Sequence, residues 1–416
     1  MDKERLLVGE IKRQQTKRFG RIVILTGARQ VGKTTLLRHQ FSDYQYINID
    51  DPQIRRVLMG LSSTQWASNY PEVILDEVQK EPQLMDIVKA VYDLQKGNKF
   101  ILTGSSQLLL LSQIRESLAG RCTILELFPL TLPELKTNGW GDVPKLSLFQ
   151  RILTGEKVPE LLPFTLTKDY DQSIEVYQYF LKYGGYPALV ADDLDDQDRK
   201  QWLRDYQTTY LERDIRDIAD FKNLEPFILI QRISALLTGN QLGYTQLAKE
   251  AKVHLNTAKR YLQYLSMSYQ AILLQPWFKN ELKRLSKVPK LHYLDIGIAR
   301  SVTNNFDGEL KGNEFESVVV SEIYKQLKYM PGHYDLYHLR THDGREVDLL
   351  IETPKGYFAF EIKMTSHYNH TDNRHLRHLD EILDKPILHS FVITQDIMPN
   401  QNEKDITALH AAQFLT

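Results

Sequence analysis

Gly27-Ala28-Arg29-Gln30-Val31-Gly32-Lys33-Thr34 stands between an apolar run, Ile22-Val23-Ile24-Leu25, and a second one that opens at Thr35-Leu36-Leu37. The first run reads as a buried strand over 21–26 and the second as an apolar helix, so both glycines fall in a strand-to-helix turn. There, glycine lets the backbone wrap an anion with its N–H groups pointing inward, at the positive end of the following helix. Gly27, Ala28, Arg29, Gln30, Val31, Gly32, Lys33, Thr34 and Thr35 are therefore the candidate nucleotide-binding residues. Lys33 is placed to neutralise β/γ-phosphate charge, and the Thr34 hydroxyl to ligate magnesium. The spacing G-x-x-x-x-G-K-[ST] predicts an α/β fold of the P-loop NTPase type, a parallel sheet with helices on both faces, binding ATP and Mg2+.

Two further apolar runs supply the polar ends that such a sheet needs. Val73-Ile74-Leu75 runs into Asp76-Glu77. Asp76 is the candidate metal partner and Glu77 the candidate general base, because phosphoryl transfer to water needs a positioned acceptor and charge neutralisation. Alone, an acidic strand end is a weak signal, and it gains weight from the upstream loop. The strand expected over 99–106 ends in Thr103-Gly104-Ser105-Ser106. Ser105 is the candidate γ-phosphate sensor, with Thr103 second; the alternative is that the serines cap the next helix. Arg121 lies between the helix carrying Arg115 and the strand expected over 122–127. It is a candidate arginine finger, acting in cis or across a homo-oligomer, or else the partner of a local carboxylate. The candidate catalytic set is thus Lys33, Glu77, Ser105 and Arg121, with Thr34 and Asp76 for the metal.

With 416 residues the chain is too long for one ordinary core. Four segments are expected: a P-loop domain over 1–140, a connector and helical region over 141–235, a winged-helix-like region over 236–300, and a last α/β domain over 301–416. Apolar residues at 42% and charged residues at 25% are globular values and exclude wholesale disorder. A net charge of -1 leaves no global field for nucleic acid or acidic lipid, so any polyanion needs a local patch. The single cysteine, Cys122, cannot form an internal disulfide or a thiolate metal site. No run approaches the ~20 apolar residues of a membrane span. A cytoplasmic protein with no membrane partner is expected.

Periodicity is poor over 141–163, which reads as irregular connector. A helical pattern over 174–183 ends at Gly184-Gly185-Tyr186-Pro187, where two glycines and a proline force a turn. Five Asp fall between Asp192 and Asp198, at a spacing suited to a solvated loop or helix start rather than a metal. Arg213 and Asp214 lie on a helix that closes over the nucleotide as a lid or forms a local ion pair. Over 245–265 the apolar spacing is that of a helix-turn-helix. Between Thr245 and Lys290 there are nine Lys or Arg and two Glu, a local excess that the neutral chain conceals. Asn256, Lys259, Arg260 and Gln263 are the candidate DNA-contacting residues on the outer face of the second helix. A packing or protein-contact module is the other reading of the same pattern.

Taken together these residues resemble the AAA-like P-loop ATPases of bacteria and archaea that carry a C-terminal domain of unknown function. Besides the loop, the resemblance rests on Leu75-Asp-Glu-Val-Gln79, Leu102-Thr-Gly-Ser-Ser106, Ser117-Leu-Ala-Gly-Arg121, Phe128-Pro-Leu130 and Tyr183-Gly-Gly-Tyr-Pro187. Tyr210-Leu-Glu-Arg-Asp214, Pro289-Lys-Leu-His-Tyr-Leu-Asp-Ile-Gly297 and Glu346-Val-Asp348 carry it to the end of the chain. It implies ATP binding and slow hydrolysis, and no defined biological task.

Beyond Gly312 the expected order is a helix over 315–327, strands over 335–340, 346–352 and 358–363, a helix through Leu376, Leu379 and Leu383, and a strand over 387–394. That αβββαβ order resembles the restriction-endonuclease-like PD-(D/E)XK fold. The resemblance implies a candidate nuclease site of Glu316, Asp348, Glu361 and Lys363. Asp348 and Glu361 would hold magnesium, Lys363 would orient water, and Glu316 would complete the site. Many members of the fold are not catalytic. Three readings of function follow: an ATPase coupled to a DNA-associated C-terminal half, a nucleotide-gated switch for a partner, and an active metal-dependent nuclease.

Overall fold

The computed structural model describes residues 3–94, 97–104, 117–211, 223–280, 284, 287–342, 344–403 and 405–416. Five strands, β1 Ile22–Thr26, β2 Gln45–Asn48, β3 Glu72–Asp76, β4 Lys99–Thr103 and β5 Cys122–Glu126, form a sheet in the order β2-β3-β4-β1-β5. All neighbours run parallel. Side chains alternate between two cores: Val23, Leu25, Ile74 and Ile101 enter one, while Ile22, Ile24, Val73, Leu75, Phe100 and Leu102 enter the other. The second face is covered by the helices Pro52–Met59, Ser63–Asn69 and Leu84–Leu94, which contribute Leu58, Trp66, Met85 and Val88. Burial on both faces explains why β1, β3 and β4 read as continuous apolar runs. The α/β sheet with helices on both faces agrees with the expectation. The edge strand β2 was not signalled, since only Ile47 of its four residues is buried.

The first face shares its core with elements far along the chain. Its core runs on through Leu7 and Ile11 of the helix Leu7–Gln15, Leu36 and Leu37 of the helix Lys33–Gln40, and Phe315 and Val319 of the helix Gly312–Lys328. The stretch 141–163, expected to be irregular, contains the helix Leu148–Leu153. Ser147 and Gln150 cap it reciprocally, and the Phe149 ring lies 5.5 Å from Phe414. Capping and burial stabilise a single turn and a half that periodicity alone cannot reveal. Asp195 and Asp198 cap the helix Asp196–Tyr206, and Asp196 pairs with Lys182 and Lys200 at 2.7 Å each.

A second sheet has nine strands in the order β13-β14-β12-β11-β10-β9-β7-β8-β6. One end is built from β6 Asn240–Gln241, β7 Ala271–Pro276 and β8 Lys290–Tyr293, with β8 antiparallel to both others. The helices Glu225–Leu236, Tyr244–Glu250 and Leu255–Met267 belong to the same segment. The other end is β9 Asp335–Arg340, β10 Glu346–Thr353, β11 Gly356–Ile362, β12 Ile387–Thr394, β13 Asn400–Glu403 and β14 Ile406–His410. β9, β10 and β11 form an antiparallel meander, and β12 joins β11 in parallel. β7 also pairs with β9, making the two ends one sheet.

The helix expected through Leu376, Leu379 and Leu383 is absent. Two short 3-10 turns, Arg374–Leu376 and Leu379–Glu381, stand there, separated by His378 at φ 55°. A left-handed residue between the turns ends any continuous helix. The three leucines still reach the core beneath β10 and β11, which is why their spacing misled. No described helix is long and apolar enough to cross a membrane.

Candidate nucleotide site and carboxylate pocket

β1 delivers the chain to Gly27, and the helix Lys33–Gln40 starts directly after Gly32. Gly32 has φ 93°, a left-handed conformation that disfavours any side chain. Lys33 is buried, and its Nζ donates to the carbonyls of Gly27 and Ala28 at 2.8 Å each, which holds the ammonium inside the curve of the loop. Thr34 Oγ1 donates to Asp76 Oδ2 at 2.8 Å. Tyr46 Oη donates to the same oxygen at 2.5 Å, and burial keeps its phenol protonated well above the ordinary range. The Arg38 guanidinium lies 4.1 Å from the centre of the Tyr46 ring. Tyr46 and Arg38 carried no sequence signal beyond Arg38 being one helical turn after Thr34. A hydroxyl and a carboxylate side by side below the loop are a donor set that fits Mg2+.

Glu77 follows at φ 57° and accepts from Gln79 Nε2 at 2.5 Å. Gln79 lies against the backbone of Gly104, where a Cβ would collide with its side-chain amide. The acidic pair is thereby braced onto the end of β4. Thr103, at that end, is fully buried, and its hydroxyl has no hydrogen-bond partner among the described residues. Ser105 and Arg115 lie outside the described residues, as do Arg213 and Asp214. Arg121 makes a two-pronged pair with Asp93, Nε to Oδ1 and Nη2 to Oδ2 at 2.9 Å each. Of its two open readings, the local carboxylate is the one present in this chain. Thr34, Thr35, Arg38, His39 and Trp140 line a cavity of about 410 Å3, where the His39 and Trp140 rings stack with centres 3.8 Å apart.

Three distant residues hold the loop from outside. Arg5, buried and paired with Glu134 at 3.1 Å, donates to the Val31 carbonyl at 2.8 Å. Tyr206 Oη donates to the Arg29 carbonyl at 3.1 Å, and Pro187 packs against Gly32. The turn carrying Pro187 is itself clamped. Leu130 N donates to Gly185 O at 2.6 Å, and Gly185 N donates to Asp295 Oδ2 at 2.7 Å. A Cβ on Gly185 would collide with the Leu130 carbonyl. Asp295 is fully buried, which raises its carboxyl pKa against the pull of the Gly185 N–H. Gly185 and Asp295 are 110 residues apart, so no local pattern signals that they meet.

Asn256, Lys259, Arg260 and Gln263 are all exposed on the helix Leu255–Met267, with Lys259 Nζ 5.1 Å from the Tyr244 ring centre. Glu316, Asp348, Glu361 and Lys363 come together at one face of the second sheet. The register carries Asp348 of β10 beside Glu361 of β11, and the helix Gly312–Lys328 brings Glu316 over them. Burial, then the charge of Asp348, pushes the carboxyl groups of Glu316 and Glu361 upward, against the pull of Lys290 on the first and Lys363 on the second. Lys363 Nζ is bound to Glu361 Oε1 at 2.6 Å. Asp348 Oδ2 accepts from Ile362 N at 2.8 Å.

A residue outside the expected set occupies the middle of this pocket. Lys290 Nζ, carried by β8, lies 2.9 Å from Glu316 Oε1, 2.9 Å from Glu346 Oε1 and 3.4 Å from Asp348 Oδ1. The carboxylates raise its pKa against the effect of burial. Among the described residues no group of three or more His, Cys, Asp or Glu side chains is placed to hold a metal ion. The position between Glu316, Glu346 and Asp348 is taken by an ammonium. Lys290 was within reach of the sequence only as a member of a quoted motif, because all three partners lie more than twenty residues downstream.

Three protein-family models match the chain: an AAA domain over residues 20–136, a domain of unknown function (DUF8612) over 174–309 and another (DUF4143) over 311–414. An uncharacterized protein of Mycobacterium tuberculosis is 27% identical over 367 residues, which cover 83% of this chain and 70% of that protein. An uncharacterized protein of Methanocaldococcus jannaschii is 26% identical over 323 residues, covering 74% and 67% respectively. Among solved structures, a Walker-type ATPase of Pyrococcus abyssi aligns with a TM-score of 0.45 at 16% identity, covering 70% of this chain and 94% of that one. With the loop geometry above, the match over 20–136 leads to one statement of kinship: the chain carries an AAA-type P-loop ATPase domain, followed by two segments that match domains of unknown function.

Proposed function

We propose that the chain binds ATP with Mg2+ at residues 27–35, hydrolyses it, and passes its nucleotide state to a C-terminal half that engages DNA. The observation that carries this is the Thr34 to Asp76 contact of 2.8 Å, which puts a hydroxyl and a carboxylate side by side where the helix Lys33–Gln40 begins and β3 ends. Thr34 and Asp76 would hold the ion, which supplies charge neutralisation to the β- and γ-phosphates. Lys33 adds a second positive charge from within the loop. Glu77, its carboxylate anchored by Gln79, would orient the attacking water and accept its proton. Thr103 and Ser105 stand as candidates for contact with the γ-phosphate. Arg121 serves as a finger only if it leaves Asp93.

The link to the C-terminal half is supported by Tyr206, Pro187 and the Gly185 to Asp295 clamp, which connect the loop to the helix that follows β8. For residues 225–293, the order helix, β6, helix, helix, β7, β8, with β8 between the other two strands, supports a winged-helix reading. The exposed Asn256, Lys259, Arg260 and Gln263 support DNA as the ligand. For residues 312–394, a helix, an antiparallel meander and a parallel strand support a nuclease-like fold.

The test is steady-state ATP turnover by the full chain, with and without duplex DNA, beside Glu77→Gln. The proposal expects turnover that rises with DNA and falls at least about a hundredfold in Glu77→Gln. Turnover indifferent to DNA but raised by a protein partner would favour a nucleotide-gated switch instead.

A further inference from the structure

We propose that Lys290 is the resident cation of the carboxylate pocket, occupying Asp348, one of the two carboxylates a divalent ion would need, together with Glu316 and Glu346, and that it ties β8 to the C-terminal sheet. An ammonium has three N–H donors, and Lys290 Nζ faces three carboxylates: Glu316, Glu346 and Asp348. The three belong to different parts of the pocket, Glu316 to the helix Gly312–Lys328 and the other two to β10, while Lys290 itself comes from β8. Lys290 is 4% exposed, so this is not a surface pair that solvent could exchange.

The exclusion of metal is geometric. A divalent ion draws carboxylate oxygens to roughly 2.0–2.6 Å around one point. The point common to Glu316, Glu346 and Asp348 is already the position of Nζ, and two cations at that separation repel strongly in a buried site. Of the other oxygens, Asp348 Oδ2 is engaged by Ile362 N and Glu361 Oε1 by Lys363, while Glu361 Oε2 is buried with no hydrogen-bond partner among the described residues. The acids that look like a metal site in the sequence thus form an ion-pair lock between two consecutive segments, each matching a different domain of unknown function. The inference does not depend on the nucleotide site.

The experiment is Mn2+ binding to nucleotide-free full-length protein, followed by loss of the free-ion paramagnetic resonance signal at about 1 mM, the weak end of carboxylate sites. Wild type is expected to bind no Mn2+ that Asp348→Asn removes. Lys290→Gln is expected to melt below wild type, to take up one Mn2+ that Asp348→Asn abolishes, and to regain melting temperature as it does so. Lys290→Arg, which keeps the charge, is expected to behave as wild type toward Mn2+. Wild-type binding of one Mn2+ that is lost in Asp348→Asn would overturn the proposal, and that reading needs no Lys290 variant to fold. A folded Lys290→Gln that takes up no Mn2+ would overturn it as well.

Discussion

Tyr206 Oη donates to the carbonyl oxygen of Arg29 at 3.1 Å, although 177 residues of chain separate them. The phosphate loop is thus shaped partly from outside its own domain. The Tyr206 ring is stacked on Trp202, so Tyr206→Phe deletes this hydrogen bond, and the one its hydroxyl accepts from Tyr186 at 3.2 Å, while leaving the packing in place. It should cost about 1 kcal/mol in denaturant unfolding. The rise in melting temperature on adding ATP should also shrink. An unchanged ATP-induced rise would show that the loop holds its geometry without this contact.

The clamp around Gly185 should tolerate change poorly. Gly185→Ala sets a Cβ against the Leu130 carbonyl, and backbone cannot move aside as a flexible side chain could. Asp295→Ala strips the partner from Gly185 N and Ile298 N inside the core. Each should destabilise by about 2–4 kcal/mol, read from chemical denaturation. A loss below about 0.5 kcal/mol in both would remove the clamp as a structural link.

Acid should weaken the fold through its buried histidines. Burial, then the nearby Lys290 charge, lowers the His338 pKa to about 4. The unfolded chain takes up the proton near its ordinary value of about 6.5, before the folded chain does. Stability from this group is therefore complete above about pH 6.5 and is lost as pH falls toward 4, by at most about 3 kcal/mol. His338→Gln should flatten that part of the stability profile relative to wild type. Parallel profiles for the two proteins would contradict the assignment.

Much of the first sheet was legible because β1, β3 and β4 are buried apolar runs that end at chemically marked positions. β2 escaped because Gln45 and Asn48 face solvent at a sheet edge. In the C-terminal half β9 and β12 matched their expected ranges, since alternation and apolar runs survive burial against a single helix layer. The leucine spacing at 376, 379 and 383 marked burial correctly and helix wrongly, because the left-handed His378 is invisible to periodicity. The resemblance to a nuclease fold picked out the acids Glu316, Asp348 and Glu361 but not what lies among them. Lys290 acts across the chain, and no local pattern records a partner on another strand.

Arg121→Ala offers a clean separation of two roles. With Arg121 bound to Asp93 on the same chain, the variant should leave ATP turnover within about twofold of wild type. A fall of about a thousandfold with ATP binding intact would instead identify a finger.

The central claim is that the loop over 27–35 holds a triphosphate with the help of Lys33, and equilibrium binding of labelled ATP in the presence of Mg2+ addresses it most directly. The account predicts saturable binding to wild type and a loss of about tenfold to a hundredfold in affinity for Lys33→Ala, the worth of a charged hydrogen bond. Absence of saturable binding in wild type, or equal affinity in the two proteins, would contradict it.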